Sequence, residues 1–313
     1  MANTARPVDR VGVPPQPGRR AAPRRGRTGE GIAPYLLIAP FVVSFLALFA
    51  GPALYSLVLS FYRYRGYGTA TFTGLDNYRS LLGYHQFWTS WINTGIYWLG
   101  GTIVTLGVAL LLAVLVYSSA IRGKTLYRPA IFLPNVMAAV AASLIFQIIF
   151  APESGVLTAL LGVKLAWNQD LFLGRVAVIT LRAWHSIGWS FVIFLAGLTT
   201  INPELYDAAK VDGARAWHSL RHITLPLLRP TFLFALVTVS ISSLRMFAEP
   251  NLLFSNSVAP PQFQPIMNQL YLNLQSGQFG NAAAAAWLIF IPILVVSLIQ
   301  FRLLRGEAGG GEH

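Results

Sequence analysis

Between two long apolar runs the chain reads Asn202-Pro-Glu-Leu-Tyr-Asp-Ala-Ala-Lys-Val-Asp-Gly-Ala-Arg-Ala-Trp-His-Ser-Leu-Arg-His-Ile-Thr-Leu-Pro-Leu-Leu-Arg-Pro230. The order of residue types predicts two short helices around a turn. Asn202 can cap a helix, Pro203 suits its first position, and Glu204 and Asp207 favour the positive end of the helix dipole. Gly213 lets the chain reverse, and Pro226 and Pro230 limit the second helix. Ala208 and Ala209 give the first helix a narrow face able to enter a groove on another protein, with Leu205 and Val211 as apolar contacts beside it. The alternative is an ordinary amphipathic loop.

On both sides of this stretch lie segments suited to lipid. A bilayer core takes roughly 20 apolar residues per helix. Six stretches meet that need: Ile32–Phe61, Ile92–Tyr117, Pro129–Ala151, Val176–Ile201, Pro230–Phe247 and Asn281–Phe301. The first, second, third and sixth carry no Lys, Arg, Asp or Glu. Pro40, Pro52 and Pro292 fall inside runs, where neighbouring helices can satisfy a freed carbonyl, so they kink a span without abolishing it. The sequence therefore predicts an all-α, six-span membrane domain over residues 31–305, flanked by tails at 1–30 and 306–313.

Composition agrees. Of 313 residues 55% are hydrophobic and 11% charged, with a mean hydropathy of +0.56, well to the apolar side of a soluble domain. The absence of cysteine excludes a disulfide framework and a thiolate metal site. A net charge of +12 raises the question of nucleic acid, but all the charges except Arg182 and Arg245 lie between and outside the apolar blocks. Seven arginines fall in the first 27 residues among Pro and Gly, a composition that cannot bury enough surface to fold alone. A cleaved signal peptide is not expected, because the run from Ile32 to Phe61 far exceeds a signal's apolar core.

Basic loops stay cytoplasmic, so orientation follows from counting Lys and Arg on alternate sides. With the N-terminus inside, the cytoplasmic side holds sixteen and the opposite side five, namely Arg63, Arg65, Arg79, Lys164 and Arg175. Both termini are expected inside. Arg63 and Arg65, just past the first span, run against the rule locally. Two outer segments are long: one contains Phe72-Thr-Gly-Leu-Asp-Asn-Tyr78, and the other, Ala248 to Gly280, has no Lys or Arg and is rich in Pro, Gln and Asn. Such an amide-rich surface suits hydroxylated cargo or a polar docking partner, or is simply solvated loop.

The stretch from Leu195 to Pro230 resembles the EAA loop of binding-protein-dependent ABC importer permeases, in the version of the carbohydrate subfamily that includes the maltose and glycerol-3-phosphate systems. There the loop is the coupling helix that docks into a cleft of the cytoplasmic ATPase. The family's Glu-Ala-Ala stands here as Asp207-Ala208-Ala209, with the expected Gly213 and an Ile-x-Leu-Pro ending at Ile223, Leu225 and Pro226. Phe72–Tyr78 resembles the family's first outer loop, Arg128-Pro-Ala-Ile-Phe-Leu-Pro134 the start of its third span, and Trp184 with Gly188 its fourth. After the fifth span the family usually carries Gly-Gly-Pro and Thr, where this chain has Ser255-Asn-Ser-Val-Ala-Pro-Pro-Gln262.

The resemblance implies a type I importer permease fold in the bacterial cytoplasmic membrane. It implies Glu204, Tyr206, Asp207, Ala208, Ala209, Gly213, Ile223 and Pro226 as the ATPase-coupling set. The implied partners are a second permease subunit, two copies of the ATPase and an extracytoplasmic solute-binding protein. No cofactor is expected on this chain; ATP and Mg belong to the ATPase, since the sequence has no phosphate-binding Gly-x-x-x-x-Gly-Lys-Ser/Thr loop. The implied cargo is a sugar or a sugar-derived solute.

Charges inside the spans mark a candidate pathway, because burying one in hydrocarbon costs about 2.5–3.5 kcal/mol on insertion scales. Arg245 and Glu249 are four apart, and on a continuing helix they would pair on one face while binding hydroxyls or a cargo anion; Arg245 can alternatively snorkel to headgroups. Arg182 and His185 share a helix face near Trp184, as a proton relay or as lining of a pathway or subunit interface. Phe247, Asn251 and Tyr271 are further candidates for cargo contact. The rival function is a stand-alone proton- or ion-coupled carrier, which predicts inverted repeats that residues 32–151 and 176–301 do not show. An intramembrane enzyme lacks a catalytic set beyond His185.

Overall fold

The computed structural model describes residues 33–118, 124–163, 166–254 and 258–308. The basic tail read at 1–30 lies outside the described residues, as do Arg122, Lys164 and the divergent stretch 255–257. The chain divides into two units between Ala53 and Leu54. The first holds α1 (Ala33–Phe45) and a π-turn, Leu46–Ala50, and the boundary falls within α2 (Gly51–Leu59). Pro52 explains the π-turn. It has no N–H for Leu48, so Gly51 before it donates to the Leu46 carbonyl, one residue farther back than α-helical spacing.

After α2 comes a short hairpin of β1 (Tyr62–Arg63) and antiparallel β2 (Thr71–Phe72), with Tyr62 opposite Phe72. Then come α3 (Asp76–Leu82) and α4 (His85–Ser118). At 34 residues α4 is about 50 Å long, and it begins well before the predicted apolar run. The third predicted span is broken: α5 (Lys124–Val136) and α6 (Ala139–Phe150) meet at 97°. Pro134 lies one turn before the corner, where Ala138 is extended and the Met137 N–H turns back to the Pro134 carbonyl at 3.3 Å.

A connector, α7 (Val156–Leu161), leads to the 29-residue α8 (Leu171–Thr199), whose first turn is capped by the Asp170 carboxylate accepting from the Leu173 N–H at 2.7 Å. The hairpin that follows comprises α9 (Pro203–Val211), α10 (Ala216–Ser219), a second π-turn (Leu220–Thr224) and α11 (Leu225–Leu227). Pro226 repeats the effect of Pro52, and Leu225 before it donates to the Leu220 carbonyl. At Leu228 the chain bends by 69° into α12 (Arg229–Leu244). Next are α13 (Ala248–Leu253), a 3-10 turn at Pro261–Phe263, α14 (Met267–Gln275) and α15 (Phe279–Ala308). Among the described residues four helices are long and apolar enough to cross a bilayer, and six if each bent pair is one span.

Small residues let the long helices approach. Leu106, Ala109, Ala113 and Val116 form one stripe of α4, and Phe191, Phe194, Leu195 and Leu198 the facing stripe of α8, with Leu228, Ala235 and Val239 of α12 closing the cluster. A second cluster joins Tyr97, Val178, Leu181, Phe146 and Phe263, and a third joins Leu81, Phe87, Ala284, Ala285 and Ile289.

The amides of the 248–280 segment are largely interior, not the open polar surface that composition suggests. Gln264, Asn268 and Gln269 are buried, while Gln262, Gln275 and Gln278 remain exposed. Irregular backbone inside a membrane protein needs polar partners. Asn93 of α4 supplies them, donating to the Gln262 carbonyl at 2.9 Å and the Gln264 carbonyl at 3.1 Å. Tyr97 donates to the Phe263 carbonyl at 3.0 Å, and Thr94 accepts from the Ile266 N–H at 2.8 Å.

Candidate functional site: a docking hairpin and an intramembrane charge cluster

The hairpin folds as its local residues dictate. Asn202 Oδ1 accepts from the Glu204 N–H at 3.0 Å, and Pro203 occupies the first turn of α9. Gly213 has φ of 76°, a left-handed conformation that L-residues with a Cβ rarely hold, and beside it the Ala214 N–H closes on the Ala209 carbonyl at 2.8 Å. The predicted coupling residues divide between two faces. Glu204, Asp207, Ala208, Gly213 and Pro226 are exposed. Tyr206, Ala209 and Ile223 are half-buried, and Tyr206 and Ile223 pack against the α4–α8 core.

Tyr206 therefore anchors the hairpin. Its hydroxyl is hydrogen-bonded to Thr224 Oγ1 at 3.0 Å, and its ring lies 6.4 Å from that of Tyr117 at the end of α4. Behind α9 remains a cavity of about 500 Å³ lined by Val114, Leu198, Leu220 and Thr224, among others. On the free side Asp207 pairs with Lys210 at 2.8 Å, an ion pair too exposed to matter for stability. Val211 is 88% exposed and Trp217 69%, large apolar surface at the tip of the hairpin.

The second candidate site lies where α12 gives way to α13, and here one expectation is corrected. Arg245 and Glu249 do not pair, because the helix stops at Leu244 and restarts at Ala248, which destroys the four-residue register. Glu249 pairs instead with Arg182 of α8, Nη1 to Oε1 at 2.5 Å, with side chains 11% and 9% exposed. Arg182 Nη2 also donates to Ser242 Oγ, while its buried Nε has no partner among the described residues. Arg245 is exposed, three residues on from Ser242. The Phe247 and Tyr271 rings stand 4.9 Å apart.

The remaining candidates make contacts within the bundle. The His185 ring nitrogen Nε2 lies 3.0 Å from the Met137 carbonyl, one of the groups released by the corner between α5 and α6. Trp184 packs on Phe146 with centroids 5.4 Å apart. Asn251 is buried and spent on structure: its Nδ2 donates to the Phe247 carbonyl at 2.9 Å, and its Oδ1 accepts from the Ala259 N–H at 2.7 Å. Arg175 was not singled out from the sequence, yet its guanidinium donates to Asn93 Oδ1 at 2.8 Å and so fixes the amide that holds the 262–264 backbone.

Residues 107–306 match the family described as binding-protein-dependent transport system inner membrane component. The chain belongs to this family. It is a multi-pass membrane protein and the permease component of a binding-protein-dependent ABC importer, and its role is transport rather than catalysis. The permease is similar over most of its length to the arabinooligosaccharides transport system permease protein AraP of Bacillus subtilis (strain 168), 34% identical over 285 residues that cover 89% of this chain and 90% of that protein. It is likewise similar to the lactose transport system permease protein LacF of Rhizobium radiobacter, 31% identical over 280 residues covering 87% and 93%. Its fold matches a chain of a bacterial alginate ABC transporter solved with an alginate pentasaccharide-bound periplasmic protein, with a TM-score of 0.75, 24% identity, and coverage of 89% of this chain and 96% of that one.

No local signal in the sequence announces the hydrogen-bond partners found at the two candidate sites. Thr224 follows a basic stretch and Ser242 is one of three serines between 240 and 243, and the two are distinguished only when α9 meets the second π-turn and α8 meets α12.

Proposed function

We propose that the permease forms half of the translocation pathway of an ATP-driven importer for a sugar or sugar-derived solute, and that the 202–227 hairpin receives the motion of the ATPase. The observation that carries this reading is a rigid element with a free face. Its first helix is capped by Asn202 and closed by the left-handed Gly213, it is pinned to the bundle through Tyr206 and Thr224, and it presents Ala208, Val211 and Trp217 outward. It continues through the bend at Leu228 into α12, which shares a core with α4 and α8. A displacement of the hairpin is thus passed to the helices that carry Arg182 and Ser242, a rigid-body transmission.

The complex in this reading holds a second permease subunit, two copies of a cytoplasmic ATPase that bind ATP and Mg, and an extracytoplasmic solute-binding protein. Both termini of the chain are cytoplasmic, as the distribution of basic residues favours. Six spans follow from counting each bent pair as one crossing. Arg182, Trp184, Arg245, Phe247 and Glu249 belong to the pathway. The Phe247–Tyr271 pair offers aromatic faces for a sugar ring. The names of AraP and LacF, oligosaccharide and disaccharide permeases, support a saccharide cargo.

The test is co-purification of the permease with its ATPase and uptake in proteoliposomes. ATPase-dependent uptake that is lost in Ala208→Trp supports the assignment. Undiminished uptake by this chain alone, driven by an ion gradient, overturns it in favour of a secondary carrier.

A further inference from the structure

At the end of the permease opposite the docking hairpin, a cavity of about 300 Å³ opens between β1, α3 and the start of α15, lined by Arg63, Arg65, Asn77, Ser80, Gln278 and Asn281 together with Tyr64, Asp76 and Gly280. The two ends are separated by the length of α4, whose first turn follows α3 and whose last turn, at Tyr117, touches Tyr206. We propose that this notch is a phosphate site that holds the headgroup of an anionic phospholipid in the leaflet opposite the docking hairpin.

Charge is the first reason. Arg63 and Arg65 are exposed, and neither guanidinium has an ion pair or a hydrogen bond among the described residues. The one carboxylate in the lining, Asp76, already has Arg79 at 3.6 Å. The notch thus carries uncompensated positive charge, with two forks of N–H donors suited to phosphate oxygens. These are the arginines that oppose the charge bias of membrane topology.

The lining is also built in advance. Asn77 Nδ2 donates to the Ser60 carbonyl at 2.8 Å and to the Tyr62 carbonyl at 2.9 Å, which fixes the backbone that carries Arg63. The Phe279 N–H donates to the Tyr64 carbonyl at 3.0 Å, tying β1 to the first turn of α15. A Cβ on Gly280 would stand 2.0 Å from the Tyr62 carbonyl oxygen, so only glycine permits this approach. Asn281 Nδ2 donates to Gln278 Oε1 at 2.7 Å, leaving the Gln278 amide N–H groups free to donate into the notch.

Depth selects a lipid over a docked protein. Arg63 comes four residues after the first apolar helix ends at Leu59, and Gln278 immediately precedes the last one, which starts at Phe279. Tyr62, Tyr64, Phe72 and Phe279 pack in pairs around the site, and Tyr67 and Phe72 are 77% and 70% exposed, an aromatic band of the kind found at headgroup level. A phosphate at that depth meets both guanidiniums while its acyl chains follow the apolar helices.

The experiment uses the full chain purified in a neutral detergent, with native mass spectrometry to read retention of dioctanoylphosphatidylglycerol, dioctanoylglycerol and inorganic phosphate. Wild type should retain the phosphatidylglycerol, and R63Q/R65Q should weaken it roughly thirtyfold, since each basic residue near an anionic surface contributes about a factor of five. R63K/R65K should keep most of the binding, and added salt should weaken it in wild type. Should R63Q/R65Q fail to fold, the lysine variant and the salt series decide, and salt-independent retention overturns the proposal. Equal retention in R63Q/R65Q, or dioctanoylglycerol held as well as the phospholipid, also overturns it. Inorganic phosphate bound as tightly as the lipid reassigns the notch to soluble anions and sinks the lipid source. If R63Q/R65Q loses the solute-binding protein while keeping the lipid, the notch is a protein contact and the proposal fails.

Discussion

Arg182 and Glu249 bond at 2.5 Å in a setting where each side chain is about nine-tenths shielded. Neither charge can be left alone there, because an unpaired buried ion keeps its desolvation cost and loses its compensation. Glu249→Gln should therefore destabilise the purified permease by about 3–5 kcal/mol, whereas the apolar double variant Arg182→Met, Glu249→Leu should cost clearly less. Denaturant unfolding in detergent reads both, and a single variant no worse than the double would show that the pair does not act as a unit. Ser242 enters the same comparison. It accepts from Arg182 Nη2, so Ser242→Ala should cost about 1 kcal/mol and nothing further once Arg182 is gone. Arg245 is exposed, and Arg245→Gln should leave unfolding unchanged within about 0.5 kcal/mol while altering uptake. Unaltered uptake in that variant would remove Arg245 from the pathway.

Among elements, α9 is the clearest case of sequence dictating structure. Its cap, its N-terminal proline and its left-handed terminator are all local, so Asn202, Pro203 and Gly213 could be read without knowing what the helix packs on. Gly213→Ala should strain the turn by about 1–2 kcal/mol, and hydrogen exchange of the 204–211 amides should quicken with no change in the unfolding midpoint of the bundle. Exchange that stays at its original rate would show that the turn does not hold the helix. Other features were not legible. The corner between α5 and α6 lies three residues after Pro134, whereas Pro40 and Pro292 leave their helices running, because the outcome depends on what receives the freed carbonyls. At the α5–α6 corner the receiver is His185 from another helix. The expected Arg245–Glu249 pair failed for a related reason: spacing predicts a shared face only while the helix continues. Composition likewise counted the amides of the 248–280 segment without telling that Gln264, Asn268 and Gln269 point inward.

Across the larger unit, the 202–227 hairpin and the charge cluster are joined by helices that share cores. Leu198 near the end of α8 packs in the cluster that receives Tyr206 and Ile223, and Leu181, next to Arg182 on the same helix, packs at the other core. An α-helix between them transmits displacement with little loss, so force applied at α9 can reach the ion pair without a flexible intermediate. The proposed coupling can therefore be tested at the free face of α9 without breaking the fold. Ala208 is exposed, so Ala208→Trp adds a side chain into open space and should leave membrane insertion and unfolding as they are. Against a docked partner the same ring is an obstruction at the centre of a contact, where loss of fit commonly costs 2 kcal/mol or more, which is about a thirtyfold fall in ATPase retention. Uptake by the complex should fall in parallel, while the ATPase keeps its basal hydrolysis. Retention of the ATPase and uptake both at wild-type levels would mean that the partner docks elsewhere.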